Sequence, residues 1–226
     1  MAEEGLATLL SALDIDPPRG ATAPSDGTVL SVSCPLADCD HDPAWLAEGL
    51  STHVGVTTLG NRTWERRDDD RDLQESIRAA VDSHAVEAIV VVGHTDCDVL
   101  ADAYDRALGM ASPAAAGVQA SLAPLEAVVN EAIESAVVDP ETPRRRARQR
   151  LTEYNVVRNV SFLRSRLPST TVAGVVTDEA GVYGSFPGKQ YLVALDEATD
   201  PAELRARLPE DAQLSADSLL STASTR

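Results

Sequence analysis

The segment "EAIVVVGHTDCD", residues 87–98, constrains the fold more than any other part of the chain. A short run of isoleucine and valine, too brief for a helix and without polar alternation, is the pattern of a parallel strand covered on both faces. Such a strand needs neighbours of its own kind, and the chain supplies candidates. "TVLSVSC", residues 28–34, alternates apolar with small polar residues and reads as a strand ending at Cys34. "HVGVTT" (53–58) reads as a second short strand before the turn "LGN", and "TVAGVV" (171–176) and "QYLVAL" (190–195) as two more.

Helical patterns fill the intervals. "DPAWLAEGL" (42–50) has Asp42 as a cap and Pro43 at its first helical position. After the acidic "RRDDDRD", Leu73, Ile77, Ala80, Val81 and His84 fall on one helical face. Alanine-rich helical sequence runs to about residue 167, where Val156, Val160 and Leu163 form a stripe. Strands alternating with helices predict an α/β fold with a mainly parallel central β-sheet flanked by helices. Residues 1–27 read as an amphipathic helix and a Pro/Gly/Ala linker, 28–215 as one domain, and 216–226 as a flexible tail.

Charge narrows the setting. The net charge is −17, and of 19 basic residues only Lys189 is a lysine. An acid-rich, lysine-poor surface suits molar salt, where screening over about 3 Å suppresses self-repulsion. The reading is a halophilic, cytoplasmic protein: no run of about 18 apolar residues predicts a membrane span, and the N-terminus lacks the basic start of a signal peptide. So acidic a surface argues against nucleic acid as a partner. The basic exception, "RRRARQR" (144–150), reads as a solvated or inter-subunit helix face. Three cysteines, Cys34, Cys39 and Cys97, are too few and odd in number for a disulfide framework, which leaves metal binding or plain burial.

In a parallel sheet, ligands gather beyond the carboxyl ends of the strands. Cys34 ends one predicted strand, and His94 and Cys97 follow another, with Gly93 expected to turn the chain sharply between strand and ligands. Two cysteines and one histidine are ligands that zinc prefers, and three protein ligands with an open fourth position are the catalytic arrangement. Cys39, five residues beyond Cys34, could instead close the site, or could be a small buried side chain.

The segment "LQESIRAAVDSHAVEAIVVVGHTDCD" resembles the part of β-class carbonic anhydrases that carries a helix, a valine-rich strand and the zinc-binding G-H-x-x-C. "VLSVSC" is similar to that family's strand bearing the first cysteine ligand, "LGN" to its Gly-Asn, and "YNVVRNVSFLRSR…VAGVVTDEAGVYG" to its later helix, strand and turn. The resemblance covers roughly residues 28–195. It implies Zn2+ held by Cys34, His94 and Cys97, and reversible hydration of carbon dioxide to bicarbonate. It also implies a homodimer or dimer of dimers, paired through N-terminal helices, and so makes residues 1–27 a dimer arm.

The departures are specific. The family's first motif is C-x-D-x-R, whereas this chain reads "CPLADCDHDP". At strict spacing Leu36 takes the aspartate position and Asp38 the arginine position. A two-residue insertion, suggested by the late Asp42-Pro43, brings Asp38 onto the aspartate position and makes it the candidate catalytic residue, with Asp40 where arginine is expected. Thr57 and Thr58 replace the family's Arg-Asn, and Asp98 replaces the glycine after the second cysteine. The alternatives are a non-catalytic protein with a closed zinc site, or a hydrolase of a related small heterocumulene such as carbonyl sulfide. His41 and His53 are the candidate proton carriers.

Overall fold

The computed structural model describes residues 27–35, 52–67, 70–112, 115–184 and 187–221. The expected N-terminal amphipathic helix and the expected helix at 42–50 lie outside them. The strands are β1 (Thr28–Ser33), β2 (Thr52–Thr57), β3 (Trp64–Arg67), β4 (Asp70–Leu73), β5 (Val86–His94), β6 (Thr171–Asp178) and β7 (Lys189–Leu195). The helices are α1 (Glu75–Ser83), α2 (Asp98–Ala107), α3 (Ala116–Glu134), α4 (Arg144–Arg166) and α5 (Pro201–Arg207).

Five strands form one sheet in the order β2-β1-β5-β6-β7. The first four run parallel, and β7 is antiparallel to β6. Every residue of β1 and β6 is buried, as expected of strands covered on both sides. Side chains alternate across β5. Val90 and Val92 pack on one face with Val175, Leu192 and Leu204. Ile89 and Val91 pack on the other with Ile77, Val156, Val160 and Leu163. The predicted α/β architecture with a mainly parallel sheet is the observed one.

Three elements differ from expectation. Residues 64–67 and 70–73 form an antiparallel pair, β3–β4, in which Trp64 lies opposite Leu73 and the Arg71 guanidinium sits 4.3 Å over the Trp64 ring. Charged residues on the open side hide this two-residue alternation in the sequence. Leu73 therefore ends a strand instead of beginning the helical stripe, and His84 is the residue that caps α1. Gly93 lies inside β5 and makes no turn. A Cβ there would stand 2.7 Å from Val156 Cγ2, so glycine lets α4 approach the strand. Finally, the segment expected to fray is packed as far as it is described: Ala216 bridges to Leu192, and Ala216 and Ser218 are buried.

Candidate metal centre

From β1 the chain goes to β2 on one side, and it later enters β5 on the other. The strand order therefore reverses between β1 and β5, and the crevice beyond their carboxyl ends is where an open α/β sheet binds ligands. The sequence-predicted ligands converge on this crevice. Cys34 directly follows β1, His94 is the last residue of β5, and Cys97 is the N-cap of α2. The register pairs Val32 with Val91, so Cys34 and His94 finish neighbouring strands almost level. All three are buried, and Cys34 and Cys97 belong to one cluster with Leu100, Tyr104 and Leu125. Among the described residues, no three His, Cys, Asp or Glu side chains are gathered as a metal cluster. The fold thus brings the three donors to one crevice without closing them on a common point. Asp38, Cys39, Asp40 and His41 lie outside the described residues. His53 does not reach this end. It pairs with Val29 near the amino end of β1, about four residues or roughly 13 Å from the crevice, and its Nε2 lies 2.9 Å from Ser31 Oγ.

The donor set fits zinc. Soft sulfur and imidazole nitrogen select it over hard cations. The Gly60 backbone N–H donates to Cys34 Sγ at 3.4 Å, and such a donor favours the thiolate that a metal requires. This bond depends on an unusual turn. Gly60 has φ +65° and Asn61 has φ +46°, both left-handed. A buried amide network holds the turn. Asn155 Nδ2 donates to the Gly60 carbonyl (2.9 Å) and to Asn61 Oδ1 (2.6 Å). Asn61 Nδ2 donates to the Val92 carbonyl of β5 (2.9 Å). Asn159 Oδ1 accepts from the backbone and hydroxyl of Thr63 (2.9 and 2.8 Å).

Helix α4 also grips the second ligand segment. Thr152 Oγ1 donates to the His94 carbonyl at 3.2 Å. Arg148 forks onto Asp96 and Asp98, the latter at 2.9 Å. Asp98, the departure from the family's glycine, thus has a partner supplied by this chain. Sequence reasoning missed Arg148, Thr152, Asn155 and Asn159 as supports of the site. Their spacing of four, three and four marks one face of a helix, and that polar stripe is the signal that could have found them.

The next residue after Thr152, Glu153, is 1% exposed. Its carboxylate accepts from Tyr183 Oη (2.7 Å), the Leu219 backbone (2.6 Å) and Ser218 Oγ. Burial pushes its carboxyl above the usual glutamate range, against these bonds, which favour the charged form. A raised folded value means that the folded chain holds this proton more tightly than the unfolded chain. Its contribution to stability is present below the ordinary glutamate value and lost as pH climbs through the raised one. Urea denaturation should show that the difference in stability between Glu153→Gln and wild type shifts in the variant's favour across that window. A difference independent of pH would mean that Glu153 is not titrating there.

Comparison with known proteins agrees with this fold. The carbonic anhydrase family profile matches residues 53–186. No curated protein sequence matches the chain. The β-carbonic anhydrase CafD (C39A mutant) of Aspergillus fumigatus superposes with a TM-score of 0.53 at 19% identity, over 80% of this chain and 96% of that one. The Coccomyxa β-carbonic anhydrase in complex with acetazolamide gives 0.52 at 19% identity, over 99% and 90%. Two tetrameric β-carbonic anhydrases of Sordaria macrospora are represented by a chain with a TM-score of 0.51 at 19% identity, over 68% and 77%. At these identities the likeness concerns the fold. This chain belongs to the carbonic anhydrase family, as a divergent member of the β class.

Proposed function

We propose that this protein is a zinc-dependent carbonate dehydratase, with Cys34, His94 and Cys97 holding the ion. The observation supporting this most is the placement of two buried sulfurs and an imidazole at the switch point between β1 and β5, in a member of this family. A zinc ion held there would supply the Lewis acidity that makes water a nucleophile near neutral pH. The chain's own residues have other tasks. Arg148 and Thr152 fix the His94–Cys97 turn, and the Gly60 N–H holds Cys34 as an acceptor. Asp38 would accept a hydrogen bond from the attacking water and so orient its lone pair towards carbon. The new carbon–oxygen bond forms as one carbon–oxygen π pair moves onto oxygen, and the released proton passes to solvent.

The acidic composition supports a salt-rich cytoplasm as the setting, and among the described residues no helix is long and apolar enough to cross a membrane. A homodimer or dimer of dimers is the proposed assembly, in keeping with the tetrameric enzymes of Sordaria macrospora.

The test is carbon dioxide hydration by the zinc-loaded protein in molar potassium chloride, from about pH 7 to 9, the range in which competition by a carboxylate for the metal should ease. Asp38→Ala should lower the rate by at least about tenfold while zinc stays bound. A wild type that holds zinc and shows no hydration overturns the proposal in favour of a closed site with Cys39. Normal activity untouched by the substitution removes Asp38 from its role.

A further inference from the structure

The cluster "RRRARQR" divides in the structure into residues with different work. Arg144 pairs with Asp105, and Arg148 pairs with Asp96 and Asp98. Among the described residues, Arg145, Arg146 and Arg150 have no ion pair. These three line one cavity of about 500 Å³, together with Gln149. In a chain of net charge −17, three guanidinium groups sharing a cavity without a paired carboxylate require an explanation.

Two of the side chains are buried as if for a ligand. Gln149 is 7% exposed and Arg150 is 9% exposed. Gln149 Nε2 is the one buried side-chain amide nitrogen without a hydrogen-bond partner among the described residues; Arg150 Nε is also buried and unpartnered, a state it shares with the Nε of Arg62, Arg106, Arg148 and Arg158. A buried donor left unpaired loses the hydrogen bonds it made to water, and a bound acceptor would restore one. Burial, and next Arg146, disfavour the charged form of Arg150, while Glu153 and Asp139 favour it only through space. Arg145 and Arg146 are the second and third residues of α4, a helix of 23 residues, so its positive end adds to theirs. The remaining walls, Pro143, Val182 and Leu219, are apolar.

We infer that this cavity binds a small molecule bearing a phosphate group. Guanidinium forks match phosphate oxygens in pairs. Three cations, an amide N–H and a helix N-terminus favour a dianion over a monoanion such as bicarbonate. A volume of about 500 Å³ holds more than the ion itself, and the apolar walls suit the rest of the molecule. The cavity shares no residue with Cys34, His94 or Cys97, so the inference stands whether or not the zinc proposal does.

Isothermal titration of the full chain with inorganic phosphate, at constant potassium chloride, tests it. Saturable binding of about one phosphate per chain is expected, tighter than for bicarbonate or sulfate under the same conditions. Arg146→Ala, an exposed position whose loss should leave the fold intact, should weaken binding by at least about tenfold, the worth of one charge-assisted hydrogen bond. Arg150→Ala should weaken it further. Arg66→Ala, an exposed arginine elsewhere, should change nothing. No saturable binding by the folded wild type overturns the inference, as does equal binding by Arg146→Ala and wild type. Tighter binding of bicarbonate than of phosphate overturns the assignment of the ligand class.

Discussion

Cys97→Ser is expected to strip most of the zinc from the proposed site while leaving the start of α2 in place. Cys97 is 3% exposed and sits at the N-cap of that helix, where its side chain makes no capping bond. Serine is among the best N-cap residues, so the backbone there tolerates the exchange and can gain a hydrogen bond. Ligation does not tolerate it, because a serine hydroxyl is a far poorer zinc ligand than a thiolate. Loss of a hydrogen bond to a ligand already costs about 10–100-fold in affinity, and loss of the ligand itself should exceed that. Zinc per chain, measured after dialysis against a competing chelator, is the readout. Full occupancy in the variant would remove Cys97 from the ligand set.

The second large effect concerns the turn behind Cys34. Gly60→Ala should destabilise the fold by about 2–5 kcal/mol. A left-handed residue with a Cβ costs roughly 1–2 kcal/mol, and overpacking a filled core typically costs about 1–3 kcal/mol more. Both apply, because the new Cβ would stand 2.7 Å from Leu125 Cδ1, and Leu125 is fully buried with little room to yield. The same substitution should weaken zinc binding, since the displaced N–H is the donor to Cys34 Sγ. Urea denaturation gives the first number and chelator competition the second. A loss below about 1 kcal/mol would mean that the turn rearranges easily and does not position Cys34.

The sheet was legible because buried parallel strands carry a pattern of their own. Thr28–Ser33, Val86–His94 and Thr171–Asp178 stand where the valine-rich runs place them. The same pattern put Cys34 and His94 at strand ends, with Cys97 just beyond the second, and the sheet order brings those ends together. What could not be read was set by long-range partners. The β3–β4 pair is held by Trp64, Leu73 and a cation over a ring, and charge masks its alternation. The role of α4 escaped because its face towards the site is polar. Thr152, Asn155 and Asn159 are buried by what they bond, and only the partner's position explains them. Arginines of one cluster looked alike in sequence, yet Arg148 clamps a turn while Arg150 lines a cavity.

The reach of α4 bears on the order in which the molecule can assemble. A helix of 23 residues, about 35 Å long, touches the turn at Gly60, the segment from His94 to Asp98 and the segment at Ser218 and Leu219. These contacts span 50 to 95 positions of sequence, and loops of that length close slowly. All three candidate ligands leave the ribosome before any residue of this helix does. A nascent chain ending before residue 144 therefore carries the candidate metal donors without the groups that orient them. Metal captured at that stage would be held by a loose set of thiols and an imidazole, open to exchange. The helix would then act as the late-arriving clasp, converting early, labile ligation into a fixed site only when most of the protein has been made.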